Sequence, residues 1–442
     1  MRVLLIAEAC NPEWVSVPLE GWSHSDAIRR HPDVDAHLVT QVRNRDALVR
    51  AGLHEGDDFT AIDSEALARP ASRAANLLRG GKGKGWTTVT AISTLIYPYF
   101  ERLVWKTFGP DIRGGKFDLV HRLTPLSPTT PSPLARKCAR AGVPFILGPL
   151  NGGVPWPHQF DAARRREREW LSYVRGFYKL LPGHHATRRH ASAIIVGSRD
   201  TEKQVPDRYR DKCVYVPENA IDPDRFPDVQ RDRAYTPPIK AAFVGRLVPY
   251  KGVDMLIDAA APLIDAGKLE VDVFGDGPER ANLAAAVQQA GITDRFRLHG
   301  NIPHAQLHGR LAQVDVFAFP SVREFGGAVV LEAMALGVVP VVVDYGGPGE
   351  LVTDDTGYRV PIAERATLVQ RFDAILAELC EDPGPLRGMS ERARGRARTL
   401  FTWDAKAGQV VSVYRKVLGA STADFTSDPP FPAHGGQVQA SP

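Results

Sequence analysis

From Ala241 to Val343 the chain alternates between short apolar runs and amphipathic stretches, and this regularity limits its possible folds more than any other feature. The runs Ala241–Val244, Leu269–Phe274, Phe296–Leu298, Val314–Phe319 and Val338–Val343 are short and apolar, so they read as buried strands. Between them, Val253–Ala266, Glu279–Ala290, His304–Leu311 and Gly327–Leu336 have helical periodicity. Such alternation implies a parallel sheet covered by helices on both faces. The first half repeats the logic with strands at Arg2–Ala7, His37–Val42, Asp118–His121, Pro144–Leu147, Ala193–Gly197 and Val214–Val216. Its helical stretches include Trp22–Arg30, Trp86–Phe108 (interrupted by Pro98) and Arg164–Leu181. The expected class is α/β, with two doubly wound domains facing one another across a cleft.

The boundaries follow from composition. Residues 1–222 form the first domain, 223–238 a polar, proline-containing linker, and 239–400 the second domain. Residues 401–419 read as a C-terminal helix packing back towards the first domain. Residues 420–442 lack periodicity, are rich in Pro, Gly and Ser, and read as a disordered tail. A hydrophobic content of 43% and a charged content of 24% are ordinary for a globular chain. The net charge of +4 permits an anionic ligand or surface without demanding nucleic acid. Four cysteines (Cys10, Cys138, Cys213, Cys380) are far apart, which suits reduced core thiols in a cytoplasmic protein. The opening MRVLLIAEA is too short an apolar run for a signal peptide, and no stretch reaches the roughly 18 apolar residues of a membrane span. The chain reads as soluble or peripheral.

In the second half the unusual residues all follow strands. Gly245-Arg246, Gly275-Asp276-Gly277-Pro278, Ser321–Gly327 and Tyr345–Glu350 fall where open parallel sheets bind ligands, beyond the carboxyl ends of the strands. Glu324 and Glu332 bracket EFGGAVVLE, which runs from a strand into a helix. Gly326 and Gly327 sit at the junction, where a side chain would block a ligand from the amides of the helix N-terminus. One carboxylate precedes that terminus, and the other lies about one and a half turns inside it. The arrangement suits a diphosphate held between two sets of sugar hydroxyls, as in a nucleotide-sugar. A helix whose first turns carry acids to match its dipole is the competing reading. Arg246 and Lys251, in VGRLVPYKG, are placed to stabilise a departing diphosphate without metal. A solvated Arg and Lys in a loop is the alternative there. Asp33-Val34-Asp35 and Asp222-Pro223-Asp224 have D-x-D spacing but lie away from these loops, so no metal site is expected.

VGRLVPYKGVDMLIDA, VDVFGDGPERANL, FRLHGNIPHAQL and PSVREFGGAVVLEAMALGVVPVVVDYGGPGELV together resemble the C-terminal domain of GT-B glycosyltransferases, within the large retaining family numbered 4. The likeness covers Ala241 to Arg359 and is weaker across the first half. It implies a GT-B fold of two Rossmann-like domains and transfer of a sugar from a nucleoside diphosphate to a hydroxyl acceptor with retention. It also implies that Arg246 and Lys251 grip the donor diphosphate, that Glu324 contacts the donor sugar, and that Glu332 holds the ribose. Amides around Gly327 and Ala328 would meet the diphosphate or sugar, with Gly326, Gly275 and Gly277 in the same donor-binding loops. Pro217–Asp222 resembles the family's interdomain segment, in which Asn219 lies near the donor.

The first half departs from the commonest pattern. Many members carry His-x-His where this chain has His121-Arg122-Leu123, so His121 is either the polar residue near the reacting sugar or a structural hydrogen-bonding residue. Glu20-Gly21-Trp22 stands where the family has a paired-glycine phosphate loop, and Gly21 is the candidate to offer an amide to the β-phosphate. Gly148–Pro157 resembles a GP-x-GG variant, a plain turn being the alternative. The helix Arg164–Leu181 is basic with interleaved aromatics and is open to peripheral contact with an anionic membrane, on its cytoplasmic face, or to simple solvation of its arginines. The basic run Arg79–Lys84 has the same ambiguity.

The resulting expectation is a metal-independent enzyme without a cofactor. Its donor is a nucleotide-sugar, its acceptor a carbohydrate or lipid-linked hydroxyl, its setting polysaccharide or glycolipid synthesis at the cell surface, and nucleic acid has no part. Two rivals stand beside it. A non-catalytic nucleotide-sugar sensor would share the fold and lack turnover. A dinucleotide oxidoreductase would need GxGxxG after the first strand, where the chain reads EACNPEWVSVPLEGW.

Overall fold

The computed structural model describes residues 1–65, 86–161, 182–226 and 235–419. The chain divides into two compact units, crossing from one to the other after Gly152, Glu218 and Thr402, with Trp403 returning it to the first. The expected tail 420–442, the basic run Arg79–Lys84, the helix Arg164–Leu181 and part of the expected linker lie outside the described residues.

The first unit is built on a seven-stranded sheet in the order β3-β2-β1-β4-β5-β6-β7. Its strands are β1 (Arg2–Ala7), β2 (Asp35–Gln41), β3 (Phe59–Ile62), β4 (Leu119–Thr124), β5 (Phe145–Leu150), β6 (Ala193–Val196) and β7 (Cys213–Tyr215). All neighbours run parallel. Val3 to Ala7 are fully buried, as a central strand covered on both faces requires. The helices are α1 (Val17–Arg30), α2 (Arg45–Arg50), α3 (Trp86–Arg113), α4 (Pro133–Arg140), α5 (Pro182–His190) and α6 (Arg199–Gln204). Contrary to expectation, Pro98 does not interrupt α3, which carries both Pro98 and Pro110.

The second unit holds a six-stranded sheet in the order β10-β9-β8-β11-β12-β13, also parallel. Its strands are β8 (Ile239–Val244), β9 (Leu269–Phe274), β10 (Phe296–Gly300), β11 (Val316–Phe319), β12 (Val339–Asp344) and β13 (Tyr358–Pro361). Between and after them come α7 (Val253–Asp265), α8 (Arg280–Gln289), α9 (His304–Leu311), α10 (Ala328–Ala335), α11 (Gly347–Leu351), α12 (Arg365–Glu381) and α13 (Gly384–Leu400). The strand order reverses direction between β8 and β11, so the loops that follow these two strands part from one another. Ligands of doubly wound sheets bind at such a reversal.

The last helix, α14 (Trp403–Val417), belongs to the first unit. Ala407, Val410, Val411, Val413 and Tyr414 join one core with Val3, Leu5, Ala27, Ile28 and Leu123. That packing decides the state of His121. Its Nε2 lies 2.7 Å from the Gly148 carbonyl and its Nδ1 lies 2.6 Å from the Tyr414 hydroxyl. A carbonyl only accepts, so Nε2 carries the hydrogen and Nδ1 accepts from Tyr414. Burial holds the imidazole down to about 4, so it is neutral at pH 7. Fully buried with both nitrogens engaged, His121 has the structural role, and its assignment as a catalytic residue is corrected.

Tyr414→Phe should therefore leave a buried imidazole acceptor unpaired and destabilise the protein by about 1–3 kcal/mol. Equilibrium denaturation in urea measures it. An unchanged midpoint would mean that the bond contributes nothing.

Candidate functional site

At the strand reversal of the second unit, backbone geometry comes first. Gly245 has φ 156° and Gly275 φ 137°. A Cβ at Gly275 would stand 2.0 Å from the Gly245 carbonyl oxygen, and one at Gly277 2.3 Å from that of Leu247. The Gly245 amide donates to Phe274 and the Leu247 amide to Asp276, each at 3.0 Å. The loops after β8 and β9 are thus laced together by main chain, and Gly275 and Gly277 are there to let them touch. Arg246 stands exposed on this double loop.

The chain then makes a short 3₁₀ turn, Pro249–Lys251, and enters α7 through Gly252 in the left-handed region at φ 71°. The turn delivers Lys251 to the loop that follows β11. Its Nζ pairs with the Glu324 carboxylate and lies 4.9 Å from the centre of the Phe319 ring. Both side chains are sheltered, 13% and 24% exposed, so the pair is only partly screened. Lys251 and Glu324, assigned to different parts of the donor, are partners of each other here. An arriving diphosphate would compete with Glu324 for the ammonium.

Glu324 is held by its own backbone: its carbonyl accepts from Gly347 at 3.1 Å, and Gly346, with φ 67°, would carry any Cβ to 2.3 Å from that oxygen. Arg323, next to it, donates from Nε to the Val154 carbonyl at 3.1 Å and lies 4.9 Å over Trp156. This Trp–Arg contact escaped the sequence reading because nothing in the spacing of Val154–Trp156 ties it to Arg323.

The turn closes with Gly326 and Gly327. A Cβ at Gly326 would fall 1.9 Å from Nδ2 of Asn219, so the glycine exists to admit that amide. Gly327, φ 64°, caps α10 without a side chain. Its carbonyl accepts from Val330 at 2.9 Å, and the amides at Ala328 and Val329 belong to the first turn, which has no intrahelical acceptors. Ala328 is exposed. Amides and dipole together make this terminus an anion site. Glu332 lies further along α10 among the buried Val330, Leu331 and Ala333. Burial pushes its carboxyl up to about 7, against a weaker pull from Arg225. A carboxylate held there gains from hydroxyl donors.

The first unit answers two expectations differently. Gly21 is not in a loop: α1 begins at Val17 with Pro18 in its first turn, where a missing amide hydrogen is harmless. As the fifth helical residue Gly21 directs its amide to the carbonyl of Val17, so its offer to a β-phosphate is corrected. Its lack of a side chain instead admits the Ala9 carbonyl, 2.1 Å from where a Cβ would be. Gly148 lies within β5 rather than in a loop, and a Cβ there would meet the Ile195 carbonyl at 2.1 Å.

Comparison with known proteins bears on the same stretch. Residues 224–396 match the family model for glycosyl transferases group 1. The chain is 31% identical over 226 residues to 2-deoxystreptamine glucosyltransferase of Streptomyces kanamyceticus, covering 47% of this chain and 56% of that one. It is 32% identical over 203 residues to D-inositol 3-phosphate glycosyltransferase of Kineococcus radiotolerans, covering 42% and 46%. It therefore spans about half the length of these curated relatives. Among solved structures, sucrose-phosphate synthase from Thermosynechococcus elongatus matches with a TM-score of 0.57 at 17% identity, over 95% of this chain and all of that one. The Anabaena protein HepE in complex with UDP matches with a TM-score of 0.57 at 17% identity, over 94% and 100%. At that identity the likeness speaks to fold alone, and the fold is the GT-B class. Every second-unit residue discussed above except those before residue 224 lies inside the matched segment, so residues 224–396 form a glycosyl transferases group 1 domain.

Proposed function

We propose that the protein is a glycosyltransferase that moves a sugar from a nucleoside diphosphate to a hydroxyl acceptor. The observation that carries this reading is the convergence, at the β8–β11 reversal, of the Lys251–Glu324 pair, the Gly326–Gly327 turn and the start of α10. The diphosphate would take the amides of α10 together with Arg246 and Lys251, and Glu332 would accept from the ribose. Glu324, released as Lys251 turns to phosphate, would accept from the sugar. Departure of the diphosphate concentrates negative charge on these groups, and stabilising it there lowers the barrier.

Retention belongs to this proposal through family resemblance, with the leaving phosphate itself receiving the acceptor's proton. The donor to try first is a uridine diphosphate sugar, since HepE is described with UDP and UDP-glucose. The acceptor is a carbohydrate or lipid-linked hydroxyl, and the setting is polysaccharide or glycolipid synthesis in the cytoplasm. Among the described residues no helix is long and apolar enough to cross a membrane. Thermal-shift screening with UDP-, GDP- and ADP-sugars identifies the donor, because a ligand at 100 times its Kd adds about 2.7 kcal/mol. Binding without any turnover or donor hydrolysis would leave the sensor reading in its place.

Because Arg246, Lys251 and a helix terminus supply the charge, transfer should survive excess chelator. A complete loss restored by magnesium would overturn the charge assignment.

The glutamates should separate. Glu332→Ala should weaken nucleoside diphosphate binding by about 1–3 kcal/mol, roughly 5- to 150-fold, since ribose hydroxyls lose their acceptor. Glu324→Ala frees Lys251 for phosphate, so nucleotide affinity should hold or rise while kcat falls. Calorimetric titration of both variants with UDP, followed by turnover, decides it. Equal losses of nucleotide affinity would sink the placement.

Glu332 also predicts a pH effect. With its carboxyl raised to about 7, it is mostly protonated at pH 6 and ionised at pH 8. The ionised form accepts from both ribose hydroxyls, so affinity should rise across that interval by several-fold more than in Glu332→Gln. Subtracting the variant removes the nucleotide's own titration. Parallel curves would exclude Glu332 as the ribose ligand.

A further inference from the structure

A buried charge cluster in the first unit has no part in the chemistry above. Lys406 of α14 is 1% exposed, and its Nζ donates to the carbonyl of Pro217. Its charge acts on Glu20 of α1 and on Glu218, the last residue before the chain leaves the first unit. Glu218 is 6% exposed. His24, one turn beyond Glu20, is 3% exposed and sits edge-on to Trp403 at 5.0 Å. Oε2 of Glu20, Oε2 of Glu218 and Nε2 of His24 are all buried without a hydrogen-bond partner among the described residues.

Two carboxylates against one ammonium leave a negative charge uncompensated where water is scarce, which is costly. A proton is the smallest occupant that removes the charge, and it turns one carboxylate into a donor. The residue after Glu218 is Asn219, whose amide fills the space left by Gly326 at the start of α10. We propose that Glu20, Glu218 and Lys406 act as one proton-holding positioning cluster that sets the place of Asn219 at the Gly326–Gly327 turn, so that sugar transfer depends on a proton held outside the donor-contacting residues. The proposal rests on the glycosyltransferase reading only in using transfer as one of its readouts.

The groups that face the cluster are few. α1 presents Glu20 and His24, β4 presents His121, the end of β5 presents the Asn151 amide, and α14 presents Lys406 and Tyr414. Burial holds His24 down to about 3 and His121 down to about 4, so both are neutral and neither competes for the proton. Burial first, then the charge of Glu20, pushes Glu218 up to about 8, and burial pushes Glu20 up to about 7. Burial also drives Lys406 well below its usual range. With one proton on the glutamates and an ammonium on Lys406 the cluster is neutral. A carboxyl raised by folding favours the protonated form, so stability falls as pH rises from the ordinary carboxyl value through about 7 to 8. When the last carboxyl proton leaves, Glu20 and Glu218 repel, the anchor of Asn219 loosens and kcat falls.

The test is the pH dependence of kcat for the full-length protein, from about pH 6 to 9.5, in the wild type, Glu218→Gln, Glu218→Ala and Lys406→Met. Wild-type kcat should fall about fivefold or more on the alkaline side, and Glu218→Gln, a permanent mimic of the protonated acid, should keep most of its neutral kcat and lose most of that fall. Glu218→Ala should lower kcat at every pH, and Lys406→Met should move the fall to a different pH. Superimposable wild-type and Glu218→Gln profiles overturn the proposal. Thermal unfolding of the same proteins against pH supplies a readout that needs no substrate. The wild-type midpoint should drop between about pH 6 and 9 more steeply than that of Glu218→Gln, and equal slopes overturn the cluster. UDP binding by thermal shift tells the two failures apart, since loss of UDP binding in the wild type strikes the glycosyltransferase reading alone.

Discussion

The pairing of β8 with β11, which sets Val316 beside Ala241 and Phe317 beside Ala242, is the constraint on which the donor side depends. The chain leaves β8 towards β9 and returns through β11 towards β12, so the two loops that follow the paired strands diverge and open a notch between them. Everything proposed to hold a diphosphate hangs on that notch. The loop after β8 carries Arg246 and ends in the turn that aims Lys251. The loop after β11 carries Glu324 and ends in the first turn of α10. Lys251 and Glu324 close the notch by pairing across it, which keeps two charges neutral until an anion competes for one of them.

Much of this was legible in the sequence because parallel strands buried on both faces leave unbroken apolar runs. β1 and β9 match their expected limits residue for residue, and most other expected strands lie within a few residues of the observed ones. The strands that escaped, β3 and β13, are edge strands of their sheets. Half-solvated positions such as Thr60, Ala61, Tyr358 and Arg359 break the apolar run that would have announced them. The glycines of the second unit were found in the right loops but for an incomplete reason. Gly275 and Gly277 answer to carbonyls of the neighbouring loop, a crowding no one-dimensional pattern displays.

The first unit was harder to read because its polar residues gain their meaning from partners far along the chain. His121 looked like a residue for substrate until Tyr414, from the last helix, occupied one of its nitrogens. Gly21 looked like a phosphate-loop residue until Pro18 started α1 early. Glu20, Glu218 and Lys406 come from three separate segments, and each alone resembles a surface charge. Burial converts them into a single titrating unit, as it raises Glu332 in the other unit. Charge in a sequence is a count, and its chemistry is decided by how much water the fold leaves around it.

The return of the chain at Trp403 also governs the order of assembly during synthesis. Residues 219–402 emerge as an uninterrupted block that contains the whole second sheet, whereas the first unit, although begun earlier, lacks α14 until the ribosome is nearly finished. Until then the face formed by Val3, Leu5, Ala27 and Leu123 stands uncovered by Val410, Val411 and Tyr414. The part of the protein translated first is thus the last to complete its core, and a chain arrested after Thr402 would display an apolar face of the kind that chaperones and proteases recognise.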